Sequence, residues 1–357
     1  MLIVTLSSYS PVPGRIRRPS WLFSSPRRSV DPPAGIGFRR ATVLGLLALL
    51  ITACGGGGDS GQQANGSEKT EIRIGMLPLP EVAPIRIAID KGYFAAEGLK
   101  VTTEQITGGA AAMPDLVSGK LDIMHSNYVS ALLAAASGTV KLKIVGAAYD
   151  AKPGNFTLMT KKGSPITELS QLKGHTIGVN TLNNIATLTM SALLKPAGLA
   201  PQDVKFIERP FPEMAGALDS GQVEVAFLPE PFSQAAAAQS GAVELAEPFA
   251  GPMADFPIAG YLTTETFAAQ NPKTVAAFQR ALRKGAELAL SNPAEVAPAL
   301  EKYTKIDRAT AATMKLGGFA TSVDPAKVQR VADLMLEFGY LKQKFDATPL
   351  IAAAPDS

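Results

Sequence analysis

The chain has 357 residues, enough for two lobes of ordinary size, with 18% charged residues, one cysteine and a net charge of +3. A lone thiol excludes internal disulfides and cysteine-clustered metal sites. The basic balance is local: residues 1–53 hold seven arginines against one acid, Asp31, so they supply +6 and the remainder is −3. That remainder has no basic patch with interleaved aromatics to suggest nucleic acid.

Residues 1–53 read as a secretory leader, with arginines first, then the apolar stretch Ala41–Ala53, then small residues. The apolar stretch falls short of the ~20 residues that span a bilayer. It ends in Ile51-Thr52-Ala53-Cys54, which resembles the bacterial lipobox. That resemblance implies that Cys54 is lipidated and becomes the new N-terminus. Residues 54–70, glycine-rich and then polar, read as a flexible tether. Arg39-Arg40 leaves twin-arginine and general secretory export both open. The Pro/Ser-rich stretch 1–34 is long for a signal, and a translation start near Val30 is expected.

Residues 71–160 read as the first part of one lobe. Glu71–Leu77 alternates as a strand and is stopped by Leu77-Pro78-Leu79-Pro80. An apolar helix follows to Asp90, with Gly92 placed to end it. Leu99–Gln105 is the next strand. Thr107-Gly108-Gly109 then opens a helix to Ser118. Backbone N–H groups at a helix start can hold an anion, and a glycine pair lets a ligand approach the main chain; an ordinary turn explains the pair equally well. Strand Leu121–Met124 delivers His125, Ser126 and Asn127 at its carboxyl end, the edge where open α/β sheets bind ligands. His125 reads either as a cleft contact or as a structural histidine. A strand over Lys141–Ala147 leads to Tyr149-Asp150, and Asn155–Thr160 reads as a strand leaving the lobe.

Residues 161–256 read as a second lobe. Strand Thr176–Val179 ends at Asn180-Thr181-Leu182-Asn183-Asn184, followed by a helix over Ile185–Leu194. Capping needs one asparagine. The others, Asn180 and Asn183 with Asn184, are expected at the cleft. Leu116-Val-Ser-Gly-Lys-Leu-Asp-Ile123 recurs 102 residues later as Leu218-Asp-Ser-Gly-Gln-Val-Glu-Val225. Each copy is a helix end, a Ser-Gly stop and a strand carrying an acid. The second copy leads to Leu228-Pro229-Glu230-Pro231. Glu230 reads either as a cleft acceptor or as an acid at a helix start.

Residues 257–345 return to the first lobe as a strand and a run of helices, with a stripe of Val275, Phe278, Leu282 and Ala286 facing the core. Residues 346–357 read as a frayed tail. Residues 155–165 and 250–260 are the expected paired crossovers.

The run Ile87-Ala-Ile-Asp-Lys-Gly-Tyr-Phe-Ala-Ala-Glu-Gly-Leu-Lys-Val101, the Gly108-Gly109 pair and Leu116–Ile123 resemble the periplasmic binding proteins of ABC importers. The branch is the one for sulfonates, nitrate, taurine and thiamine-precursor pyrimidines. The resemblance covers most of residues 71–340. It implies a type II periplasmic-binding-protein fold: α/β, two similar lobes with mixed, mostly parallel sheets, joined by two hinge crossovers. It also implies a monomeric, extracytoplasmic, lipid-anchored receptor handing a small solute to an ABC permease and its ATPase. Ligand contacts are expected from Leu77, Pro78, Gly108, Gly109, His125, Ser126, Asn127, Asp150, Asn180, Asn183, Asn184 and Glu230. No catalytic residue, metal or cofactor is expected. The glycine pair and the asparagines suit a small sulfonate- or nitrate-like anion. Asp150 and Glu230 suit an amine or aminopyrimidine, and a zwitterion such as taurine satisfies both.

Overall fold

The computed structural model describes residues 68–355 except 305. The leader, Cys54 and most of the tether lie outside the described residues. Glu68 and Lys69, read as the tether's end, are bound: the Glu68 carboxylate accepts from the Thr274 N–H (2.9 Å), and Lys69 N–H donates to Asn271 Oδ1 (2.9 Å). No described helix is long and apolar enough to cross a membrane.

In chain order the first lobe supplies β1 (Glu71–Met76), α1 (Ala83–Asp90), α2 (Tyr93–Ala96), β2 (Lys100–Gln105), α3 (Gly109–Val117), β3 (Ile123–Asn127), α4 (Tyr128–Ala136) and β4 (Leu142–Asp150). The second supplies β5 (Phe156–Thr160), β6 (Thr176–Val179), α5 (Ile185–Leu194), β7 (Lys205–Glu208), α6 (Phe211–Asp219), β8 (Val225–Pro229), α7 (Phe232–Ser240) and β9 (Val243–Ala246). The return adds β10 (Pro257–Thr264), α8 (Glu265–Gln270), α9 (Pro272–Ser291), α10 (Val296–Tyr303), α11 (Arg308–Thr313), β11 (Gly318–Phe319) and α12 (Pro325–Glu337). Gly92 (φ 73°) lets the chain leave α1 left-handed, as its position predicts. The α9 stripe of Val275, Phe278, Leu282 and Ala286 is buried.

The two sheets run β2-β1-β3-β10-β4-β11 and β7-β6-β8-β5-β9. The expectation of mostly parallel sheets holds only for the triplets β2-β1-β3 and β7-β6-β8. Every pair beyond them is antiparallel. In each sheet the antiparallel neighbour of the triplet arrives from across the molecule: β10 after the second lobe, β5 after the first. This corrects the predicted boundary. Residues 156–160 pair with β8 and β9, so they belong to the second sheet and the first crossover is 151–155. The second crossover is 247–256.

The predicted frayed tail is also corrected. Ile351 bridges Ile144, and Ala352 N–H donates to Ile144 O (2.9 Å). With β11 on Tyr149 and Asp150, this covers both ends of an otherwise open β4 edge.

The repeated acids have one job in both lobes. Asp122 accepts from the Arg73 N–H of β1 (2.8 Å), and Glu224 accepts from the Thr176 N–H of β6 (2.9 Å). Each acid thereby pins the middle strand of its lobe's parallel triplet from a position just before β3 or β8. Asp122 also meets Lys69 (2.6 Å) and the Arg73 guanidinium (3.3 Å). Burial opposes its charge, but these partners outweigh burial and hold the acid below the ordinary aspartate range. A depressed acid stabilises the fold above its unfolded value near 3.8, and the gain is lost as pH falls through the folded value. Asp122→Asn is therefore expected to cost about 2 kcal/mol at pH 7 in urea unfolding. The difference from the parent should shrink below pH 4; a constant difference would show that charge is not the cause.

Candidate functional site

The carboxyl edges of the parallel triplets face each other and enclose a cavity of about 30 Å³. The first lobe contributes Leu77, Leu79 and Glu81 after β1, Gly109 at the start of α3, and His125 and Asn127 of β3. The second contributes Phe156, Asn180, Phe227, and Ile185 and Phe211 at the starts of α5 and α6; Ile258 of β10 completes the wall. So small a volume holds one or two waters. The lobes are closed on one another. A methyl placed on Gly108 would stand 3.0 Å from Thr181 Cγ2 and 3.5 Å from Asn180 Nδ2, across the cleft.

Glu81 is the charged group of this cavity that lies in no predicted motif. It is 3% exposed and sits in a 3₁₀ turn, Pro80–Val82. Its Oε2 lies 2.9 Å from His125 Nε2. Close as they are, the two are not hydrogen-bonded, and neither His125 ring nitrogen has a hydrogen-bond partner among the described residues. The imidazole packs edge-on against Tyr261, ring centroids 5.7 Å apart. The Tyr261 hydroxyl is buried and equally unpartnered, and burial pushes its pKa well up. Among the described residues no arginine or lysine lines the cavity. Phe156 and Phe227 pack at a tilt with centroids 5.5 Å apart, and Phe211 stacks on Phe232 at the same separation.

Of the predicted residues, Leu77, Gly109, His125, Asn127 and Asn180 meet in the cavity. Pro78 is the half-buried bend beside Leu77, and Gly108 touches the opposite lobe. Ser126 is buried beneath Gly109 and donates to the Asn127 carbonyl (3.1 Å). Asn127 caps α4, accepting from Ser130 N–H (2.9 Å). Asn184 caps α5 through the Ala186 N–H (3.0 Å), and its amide donates to Asn180 Oδ1 (2.8 Å). Its role is therefore to cap the helix and brace Asn180. Asn183 faces an outer groove with Leu182 and Phe338, and its φ of 51° accounts for an asparagine there. Asp150 and Glu230 lie outside the cavity wall. Asp150 is taken by Lys327, and Glu230 is buried near the crossovers, with a cis bond to Pro231.

Residues 79–296, more than half of the chain, match the NMT1/THI5-like family. The chain belongs to this family. A curated relative, the riboflavin-binding protein RibY of Chloroflexus aurantiacus, is 28% identical over 273 residues, covering 72% of this chain and 76% of that protein. The fold is that of periplasmic binding proteins. The alkanesulfonate-binding protein SsuA of Xanthomonas axonopodis pv. citri, solved with MOPS, superposes with a TM-score of 0.67 at 19% identity, over 81% of this chain and all of that one. The periplasmic nitrate-binding protein NrtA of Synechocystis PCC 6803 gives 0.67 at 15% identity, over 79% and 84%. Within this NMT1/THI5-like chain, the sequence motifs missed Glu81 and the phenylalanines of the second lobe. The one signal for Glu81 was an acid lodged among Leu79, Pro80 and Val82, a segment too apolar to be surface.

Proposed function

We propose that the protein is the extracytoplasmic solute-binding component of an ABC importer, tethered through a lipid on Cys54, and that its ligand is a planar nitrogen heterocycle carrying an N–H donor. The observation that carries this reading is Glu81: a carboxylate buried in a phenylalanine-lined cavity that holds no arginine or lysine. A bare sulfonate or nitrate would be pressed against that carboxylate with no arginine or lysine to offset the repulsion. An aminopyrimidine-like ring instead donates to Glu81, lies between aromatic walls, and turns an acceptor toward the N–H groups that open α3, α5 and α6. The reading thus takes the aminopyrimidine alternative over sulfonate, nitrate or taurine. The ring system in the name of the riboflavin-binding relative is of the same broad class.

The crossovers at 151–155 and 247–256 serve as the hinge. Ligand enters when the lobes part, and they close again around it to a wider spacing than the ligand-free pair, whose cavity of about 30 Å³ admits only water; binding that form more tightly stabilises it. The closed protein then presents the solute to a permease and its ATPase. The molecule acts as a monomer and leaves its ligand chemically unchanged. A thermal-shift screen over aminopyrimidines, flavins, sulfonates, nitrate and taurine tests this. A heterocycle at 100 times its Kd should add about 2.7 kcal/mol, roughly 5 °C, and be recovered intact. Shifts from sulfonate or nitrate alone would overturn the ligand class, and turnover would overturn the receptor.

A further inference from the structure

Glu230 is buried where three segments of chain meet, away from the cavity. Its own N–H donates to the Asn155 carbonyl of the first crossover (3.0 Å). Its Oε1 accepts from Gln234 Nε2 (3.2 Å), and Gln234 Oε1 in turn accepts from the Thr313 hydroxyl of α11 (3.2 Å). The Lys315 N–H also points at the carboxylate. Thr313 and Lys315 belong to the stretch leading from α11 into β11, which is fastened to the first lobe. β11 pairs with β4, and the Gly317 N–H donates to the Tyr149 hydroxyl. A carboxyl of the second lobe is therefore covered by a segment of the first. Its other oxygen, Oε2, has no partner among the described residues, and neither has Ser233 Oγ nor Asn155 Nδ2.

We propose that Glu230 is a proton-linked hinge residue: the closed lobes hold it as the neutral acid, opening exposes it as a carboxylate, and closure takes up one proton. The proposal rests on the two-lobed receptor reading above. A buried carboxylate with one bare oxygen is costly. The neutral acid has an O–H to give, and the orphaned Ser233 hydroxyl stands beside it. Among the described residues no cation offsets the charge. Lys327 is paired with Asp150 and Lys152 with Asp255 (2.5 Å), while the Lys315 side chain lies over Gly154. The remaining titratable neighbours are the buried Tyr149 phenol and Glu247, whose carboxylate accepts from the Gly154 N–H (2.6 Å) and the Phe249 N–H (3.1 Å). Burial raises the Glu230 acid above the ordinary 4.5, and the nearby donors of Gln234, Ser233 and Lys315 offset this only in part. A raised value in the closed form favours closure at low pH, and that advantage is lost as pH rises through it.

The test uses the full chain with Cys54→Ser and spin labels on Val117→Cys and Val243→Cys, two exposed positions on opposite lobes. Distances are measured without ligand from pH 8 to pH 4.5. The closed-to-open ratio should rise as pH falls, by up to about tenfold per pH unit. Glu230→Gln, which mimics the neutral acid, should be closed throughout. A parent distribution that closes on a hit from the screen but ignores pH sinks the proton linkage and leaves the receptor standing. A Glu230→Gln distribution that still titrates also sinks the linkage. A distribution that responds to neither pH nor ligand sinks both. The parent series decides the matter even if the variant does not fold.

Discussion

Glu81→Gln should weaken binding of an N–H-bearing heterocycle about ten- to a hundredfold while strengthening any binding of a sulfonate or nitrate. The carboxylate is 3% exposed, so a hydrogen bond it accepts is charge-assisted and screened from water. Such bonds contribute about 1.5–3 kcal/mol, against about 1 for a neutral pair. Glutamine keeps the shape and one acceptor but loses the charge. It also turns an amide donor toward the cavity, which an anion can use. The opposite signs for the two ligand classes make the experiment decisive without knowledge of the ligand's full structure. Isothermal titration of parent and variant with an aminopyrimidine, a flavin, a sulfonate and nitrate would check it. A parent that binds the anions and a variant that binds them no better would show that Glu81 faces away from the ligand. The variant should stay folded, since His125 Nε2 keeps a polar neighbour in place of the oxygen now 2.9 Å away.

The fold was legible because its signals are local. The Ser-Gly stops, the proline starts of α9 and α12 and the recurrent acid before β3 and β8 each act within one supersecondary unit, and the same unit occurs in both lobes. The site was legible only in part. Strand ends and helix starts mark an edge, and that was enough to gather Leu77, Gly109, His125, Asn127 and Asn180. Which acid faces the cavity depends on partners far away in the sequence. Asp150 is taken by Lys327, 177 residues on, and Glu230 is covered by the loop after α11. Both sit at strand ends, yet on the hinge side. Glu81 was hidden for the opposite reason: it stands at a helix start, where an acid usually answers only the helix dipole, and its burial comes from the whole closed cleft. The position of β5 was missed because a strand's alternation does not say which sheet it joins.

Gly109 and Gly108 are adjacent and should fail in different ways. Neither has a backbone that demands glycine: Gly108 is extended at φ 177°, and Gly109 opens α3. The reason for glycine is space. A Cβ on Gly109 would overlap the Ser126 hydroxyl and stand 2.7 Å from Ser126 Cβ and 3.1 Å from its Cα. Ser126 is fully buried in β3 and cannot retreat. Gly109→Ala should therefore lift α3 off the sheet at a cost of about 1–3 kcal/mol in urea unfolding, with or without ligand. A Cβ on Gly108 meets only groups across the cleft, Thr181 at 3.0 Å and Asn180 at 3.5 Å. Opening the lobes relieves that contact completely. Gly108→Ala should keep the parent's ligand-free unfolding midpoint to within about 0.5 kcal/mol, yet bind ligand more weakly, because the closed state alone is crowded. Gly108→Val should deepen the binding loss and again spare the fold. Equal stability losses at both positions would mean that the two lobes form one rigid body, with no opening for a solute to use.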